Sequence, residues 1–212
     1  MSVGRFLQQA AAGNAGEAVY VDDVFSTYLY TGNGSTQTIT NGIDLAGEGG
    51  AIWCKGRSYL SNHKLFDTER PEISGALAKL VPNSTSGESG DADCIVSVNS
   101  DGFSIGGDSE INRSGEDQVA WTFRKQPGFF DVVTYTGNGT AGHTINHSLG
   151  STPGMIIVKR TNSSSNWAVY HRSANYLVLN STAAAYSTAI TAARFGDGTN
   201  VIAPTESVFT IG

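Results

Sequence analysis

The pentapeptide YTGNG occurs twice in this chain, at residues 30–34 and again at residues 135–139. Around it, FSTYLYTGNGSTQTIT at Phe25–Thr40 aligns with FDVVTYTGNGTAGHTIN at Phe130–Asn146. Each copy reads as an aromatic and β-branched run, a Gly-Asn-Gly turn and a short polar strand, which is typical of β-structure. The Asn-Gly step predicts a type I′ hairpin turn between the two strands of each copy.

The match continues in the same order along both halves of the chain. Four further segments align, and they are GGAIWCKGRS (49–58) with PGMIIVKRTN (153–162), NHKLFDT (62–68) with NWAVYHR (166–172), LVPNST (80–85) with LVLNST (177–182), and GFSIG (102–106) with VFTIG (208–212). Collinear matches at a spacing of about 100 residues indicate tandem copies of one unit. They predict an N-terminal segment over 1–23, module one over 24–127 and module two over 128–212.

Module one continues past GFSIG into QVAWTFR at residues 118–124. Its alternation places Val119, Trp121 and Phe123 on one face of a strand and predicts that this apolar face lies in the core. A second copy of this strand does not occur before Gly212. We therefore expect module two to be incomplete and the natural polypeptide to continue beyond Gly212. Replacement of the strand by a neighbouring subunit or by a shorter variant of the fold is the alternative.

The composition favours an all-β fold. Only 15% of the residues are charged, and 26 are Gly, which suits tight turns better than long surface helices. Apolar runs such as AIWCK and MIIVK indicate buried strands. The expected architecture is tandem β-sandwich or jelly-roll-like modules preceded by a short N-terminal helix, Val3–Ala12, and an arm.

Charge and cysteine content exclude several classes of protein. The net charge of −6 argues against a nucleic-acid partner, which needs a clustered basic face. The absence of an apolar run of about 18 residues argues against membrane insertion. Cys54 and Cys94 are too few for a disulfide scaffold, and we expect buried free thiols, with a disulfide between them as the alternative.

Several of these segments carry a resemblance to a known family. The chain resembles tail-fibre or tail-associated proteins of marine bacteriophages, including cyanophages. The segments that carry the resemblance are the opening MSVGRFLQQAAAG, VYVDDVFSTYLYTGNGSTQTITNGIDL, WCKGRS, HKLFDTER, VAWTFRKQPGFFDVVTYTGNG and PGMIIVKR. The resemblance covers nearly the whole chain. It implies β-sandwich modules similar to concanavalin-like or laminin-G-like lectin domains, a place in the virion, and contact with the host surface.

No constellation of residues predicts catalysis or a resident metal, so we expect neither an enzyme nor a cofactor. His143 and His147 have the spacing of helical metal ligands, but the expected hairpin puts them around a turn. Carboxylates cluster at Asp22-Asp23, Asp91/Asp93, Asp108/Glu110 and Glu116-Asp117, and calcium binding at such loops is the alternative to solvated charges.

Aromatic side chains are the candidates for glycan contact. Trp53 and Trp121 fall on the apolar phase of core strands, which predicts packing rather than binding. Trp167 follows the polar run TNSSSN, which is compatible with partial exposure, so Trp167 and Tyr170 are the candidates for glycan contact. Packing is nevertheless the favoured prediction for Trp167.

The expected function is that of a virion structural protein of a phage tail, either a fibre or a fibre-like subunit. Arg5, Phe6 and Leu7 in the N-terminal helix would dock onto other tail proteins of the adaptor, nozzle or hub. A homotrimer is expected, because closed symmetry suits an element that projects from a symmetric hub. A lectin-like carbohydrate-binding module, a polysaccharide depolymerase and a head decoration protein are the alternatives.

Overall fold

The computed structural model describes residues 19–212. The helix expected at Val3–Ala12 and the docking residues Arg5, Phe6 and Leu7 lie outside these residues. The described part is mostly β-structure in several antiparallel sheets, with short helices only, as the sequence predicts.

The described part of the N-terminal segment and module one together contain eight strands and two single-turn helices. In chain order these are α1 (Val21–Val24), β1 (Phe25–Thr31), β2 (Gln37–Thr40), α2 (Leu45–Glu48), β3 (Gly50–Gly56), β4 (Lys64–Asp67), β5 (Lys79–Leu80), β6 (Ile95–Asn99), β7 (Gly102–Ile105) and β8 (Asp117–Arg124). The strands form a five-stranded sheet in the order β1-β8-β3-β4-β5 and a three-stranded sheet in the order β2-β7-β6. Apolar side chains of both sheets meet in one core, as expected for a β-sandwich.

That core is built from side chains that alternate along the strands. Ile52 and Cys54 of β3, Phe66 of β4 and Phe103 of β7 are all at most 1% exposed and belong to one cluster. Each large apolar side chain buried in this way stabilises the fold by about 1.5–3 kcal/mol. Cys54 and the equally buried Cys94 are both free thiols, which confirms the prediction.

The strand β8 has the predicted alternation, but the prediction of its inward face is wrong. Gln118, Ala120 and Thr122 point inward and are fully buried, whereas Trp121 and Phe123 lie on the opposite side and are partly exposed. Val119 shares the side of Trp121 but is buried there, at 5% exposed. Large side chains of the other strands, such as Phe66 and Phe103, fill the core around Ala120. Only small or slender side chains fit on β8 where it faces them.

Module two contains β9 (His143–Asn146), β10 (Met155–Val158), β11 (Ala168–His171), β12 (Ala174–Val178), α3 (Thr188–Ala192) and β13 (Val208–Ile211). Its pairings repeat the registers of module one. Gln37 lies opposite Ile105 in the β2–β7 ladder, and the aligned His143 lies opposite Ile211 in the β9–β13 ladder.

The same agreement holds for the second pair of ladders. Ala51 lies opposite Asp67 in the β3–β4 ladder, and the aligned Met155 lies opposite His171 in the β10–β11 ladder. The two halves therefore share the registers of these ladders, as the repeated sequence indicates.

The YTGNG segments do not form the predicted hairpins. Strand β1 pairs with β8 and β2 pairs with β7, so the segment over 30–34 crosses from one sheet to the other. Asn33 lacks the positive φ that a type I′ turn requires, whereas Gly34 has φ 70°. The run Phe130–Tyr135, predicted as a strand, forms none.

Candidate functional site

The outer face of module one is the side of the five-stranded sheet that points away from the three-stranded sheet. Its side chains come from alternate positions of four strands, because residues directly opposite each other in a ladder point to the same side. Its members include Thr27, Leu29, Trp53, Lys55, Leu65, Val119 and Trp121. Leu29 is 56% exposed, and Trp53, Trp121 and Leu65 are partly exposed. The outer face therefore brings aromatic and aliphatic surface to solvent.

Two tryptophans form the centre of the outer face. Trp53 of β3 lies directly opposite Trp121 of β8, and their rings meet edge to face at 6.5 Å and 83°. The indole N–H of Trp53 donates to Nδ1 of His63 at 2.9 Å, and these two rings are also perpendicular. Trp53 is thus fixed on two sides, which lowers the conformational entropy that it would lose in contacting a ligand.

Polar groups lie at the edge of the outer face, beside Trp53. The Lys55 ammonium donates to the Gly56 carbonyl at 2.8 Å and to the Ser61 hydroxyl at 3.1 Å. Burial lowers the pKa of His63, and the charge of Lys55 lowers that pKa further. The neutral imidazole is therefore favoured, and its Nδ1 is free to accept the Trp53 N–H.

The structure thus contradicts the prediction that Trp53 and Trp121 serve only core packing. Alternation correctly placed them on one face of their strands, but the sandwich core lies on the other face. The signal that could have corrected this is the other face of β8, where Ala120 and Thr122 are small. Small side chains fit an interior that large side chains of other strands already fill.

Trp167 is not available for the glycan contact predicted from its sequence. Its side chain is 2% exposed, and its indole N–H donates to the Ser84 carbonyl of module one at 3.0 Å. The ammonium of Lys159 lies 5.8 Å from the ring centroid. The favoured prediction, that Trp167 packs, is confirmed.

Tyr170 is partly buried and packs against Phe195 in the core of module two, with ring centroids 5.7 Å apart. It does not join Trp167 in an exposed site. Both side chains have structural roles. Trp167 is covered by module one, although its sequence context suggests a polar loop, and Tyr170 belongs to the core of module two.

Asp91, Cys94 and Asp108 come together with potential ligand atoms within 4.8 Å of one another. Their surroundings account for them without a cation. Lys79 donates to the Asp91 carboxylate at 2.7 Å, and the Asp108 carboxylate accepts the backbone N–H of Glu110 and of Ile111. Burial raises the pKa of the Cys94 thiol well above its usual range, which favours the protonated form rather than a thiolate ligand.

An open groove between the modules is lined by Glu69, Lys125, Asp131 and His147. Glu69 pairs with Lys125 at 2.8 Å, and Asp131 accepts backbone N–H groups of Val132 and Ser148. The two carboxylates are thus engaged as structural acceptors, which gives no support to a pair of glycosidase acids.

His143 and His147 lie at the start of β9 and one residue beyond its end, not around a turn. Because side chains alternate along a strand, they point to the same side as the buried Ile145 between them. The four-residue spacing therefore separates them along an extended chain, which is unsuitable for joint metal ligation.

The comparisons with known proteins give one match. The chain belongs to the family described as Domain of unknown function (DUF7483), whose model matches residues 21–212. No curated protein and no solved structure matches the chain. Within the described part of the chain, we find no helix with the length and hydrophobicity needed to cross a membrane.

Proposed function

We propose that this chain is a structural protein of a bacteriophage tail, a fibre or fibre-like subunit that holds the particle to its host by binding. The observation that supports this most is the repeated sequence, whose two copies have matching ladder registers. Repeated modules extend a protein without requiring new chemistry in each copy.

The junction between the modules supports a mechanical role. Residues 84–88 of module one lie against residues 159–167 of module two. The backbone N–H of Glu88 donates to the Thr161 carbonyl at 2.7 Å, and that of Ser165 donates to the Thr85 carbonyl at 2.8 Å. The Lys159 ammonium also donates to the Thr85 carbonyl at 2.8 Å. Direct backbone contacts of this kind restrict how one module can move relative to the other. Such restricted motion suits a fibre, which must keep its shape under load.

The location of the protein tests this proposal. Antibodies against residues 19–212, bound to purified particles and imaged by electron microscopy, should label the tail. Labelling of the capsid surface would instead identify a head decoration protein, and the absence of label from intact particles would overturn the proposal. A homotrimer remains a prediction, and sedimentation equilibrium of the purified protein tests it separately.

A second candidate function, carbohydrate binding, is favoured by one observation. Trp53 and Trp121 form a fixed and partly exposed aromatic pair with Lys55 and His63 beside it. Aromatic surface with hydrogen-bonding groups at its edge is suited to an amphipathic ligand such as a glycan. Glycan-array binding that is lost in Trp121→Ala and retained in Trp167→Phe would support this function. Absence of any bound glycan would exclude the arrayed ligands and leave the architectural role alone.

A further inference from the structure

Module two has an open strand position where module one holds a strand. In module one, β8 lies between β1 and β3 and pairs with both. In module two, β10 corresponds to β3 and pairs only with β11 among the described residues. The run Phe130–Tyr135 corresponds to β1 and has no ladder partner there. Among the described residues, module two therefore has no counterpart of β8 that pairs with this run or with β10.

Glycines in the two modules differ in the neighbours that require them. A Cβ on Gly32 would lie 2.2 Å from the Arg113 carbonyl oxygen, in the loop before β8. A Cβ on the aligned Gly137 would have no atom of the described residues within 4 Å.

Gly50 and Gly154 show the same difference at the edge of the strand itself. A Cβ on Gly50 would lie 2.0 Å from the Phe123 carbonyl oxygen of β8, whereas a Cβ on Gly154 would lie no closer than 3.9 Å to Arg172. At both pairs of positions, module two keeps a glycine whose closest neighbour in module one belongs to the segment over 106–124.

Two buried polar side chains provide an independent observation. In module one, the Asn41 amide donates to the Thr122 hydroxyl of β8 at 2.8 Å. The corresponding side chain in module two is His147, and its Nε2 is buried without a hydrogen-bond partner among residues 19–212. A buried polar atom without a partner costs about 1–3 kcal/mol.

The second unpartnered side chain corresponds to one that contacts the loop before β8 in module one. The Gln37 amide donates to Oδ1 of Asn112, in the loop before β8, at 2.6 Å. Its counterpart in module two is His143, and Nδ1 of His143 is likewise buried without a partner. Both histidines therefore lack partners at the places where module one supplies them from residues 106–124.

We infer that this open position is the binding place of one antiparallel β-strand with a loop before it, a polypeptide segment with the chemistry of Gly106–Arg124 in module one. The β8 of a second copy is a poorer occupant, because β1 and β3 already pair with both its edges.

The registers of module one define the chemistry of the strand. The residue at the Trp121 place would lie opposite Ile157, and the residue at the Phe123 place opposite Met155. The strand residues at these two places would be apolar, because they would cover the apolar side chains of Ile157 and Met155, which are 38% and 58% exposed. The residue at the Thr122 place would be small and polar, and would offer His147 a hydrogen bond.

The first test appends a copy of residues 107–124 to Gly212 and compares melting with that of the chain without it. We expect the melting temperature to rise by about 4 °C or more, because a vacant ladder and two buried imidazoles gain partners. The matched control appends the same segment with its copies of Ala120 and Thr122 changed to Asp, which cannot be buried. Equal melting of the two extended chains would overturn the inference. So would a stable dimer of the chain without the extension that forms through the edge of β10, since a second copy would then be the occupant.

The second test measures the register and does not depend on stability. Cysteine replaces Ile157 and the copy of Trp121 in the extended chain, and peptide mapping detects the disulfide. We expect this pair to oxidise faster than the pair of Ile157→Cys with a cysteine at the copy of Thr122, which faces the other side of the sheet. Preference for the second pair would overturn the inference.

A third test uses Gly137→Ala. This substitution should leave the melting temperature unchanged in the chain without the extension and should lower it in the extended chain.

Discussion

The indole N–H of Trp53 donates to Nδ1 of His63 at 2.9 Å, so the orientation of the most central aromatic ring on the outer face depends on an imidazole that must stay neutral. Protonation at Nδ1 would replace an acceptor by a donor and break this bond. The folded protein therefore disfavours protonated His63, in agreement with the lowered pKa that burial and Lys55 produce.

We expect this bond to make stability depend on pH. Because the pKa of folded His63 lies below the unfolded value of about 6.5, its stabilising contribution is present above that value. The contribution is lost as pH falls through the folded pKa. Urea unfolding between about pH 5 and pH 8 should show the decrease, and His63→Phe should reduce it. An unchanged pH profile in His63→Phe would show that the imidazole has no such role.

A buried guanidinium gives a larger effect. Arg70 donates to the Asp67 carboxylate at 2.7 Å, to the Glu88 carboxylate at 3.0 Å and to the Ala78 carbonyl at 2.8 Å. Arg70→Met would leave the buried Asp67 without its counter-charge and should lower the free energy of unfolding by about 3–5 kcal/mol.

The matched control for Arg70 is an ion pair near the surface. Lys125 and Glu69 pair at 2.8 Å, with side chains about one-third exposed. Lys125→Met should cost no more than about 1 kcal/mol, because solvent screens this pair. Urea titrations of both variants provide the comparison, and equal losses would contradict the distinction between them.

The two thiols should be unreactive in the folded protein. Burial raises the pKa of the Cys54 thiol to about 12 and that of Cys94 further, so the nucleophilic thiolate is scarce at neutral pH. Labelling with a thiol reagent at about pH 8 should be slow until denaturant is added, and should then consume two equivalents. Fast labelling of either cysteine in the native protein would show that its site opens readily.

The sequence predicted the repeat better than it predicted strand pairing or which surfaces are covered. The aligned segments form matching ladders, β2–β7 and β9–β13, although the hairpins predicted at YTGNG are wrong. Alternation in β8 identified a strand with two distinct faces, but which of them packs inward depends on volumes contributed by distant strands. For the same reason, the outer face with Trp53 and Trp121 could not be recognised from the strands alone.

Trp167 shows the same limit at the junction of the modules. Its burial depends on residues 84–88, which are remote in sequence and belong to the other module. No local pattern around Trp167 reports that contact, since TNSSSN is a normal exposed loop by composition.

That junction yields the last prediction. Trp167→Phe keeps a large apolar ring but removes the N–H that binds the Ser84 carbonyl, so it should cost about 1 kcal/mol. Trp167→Ala removes most of a buried side chain as well and should cost about 3–5 kcal/mol. Because this side chain connects the modules, its loss should make their unfolding less cooperative. Calorimetry of Trp167→Ala should then show two transitions, or a van't Hoff enthalpy below the calorimetric enthalpy. Tyr170→Phe is the control, since Tyr170 packs within module two. A single cooperative transition in Trp167→Ala, as sharp as that of Tyr170→Phe, would mean that the backbone bonds of Glu88 and Ser165 are sufficient to couple the modules.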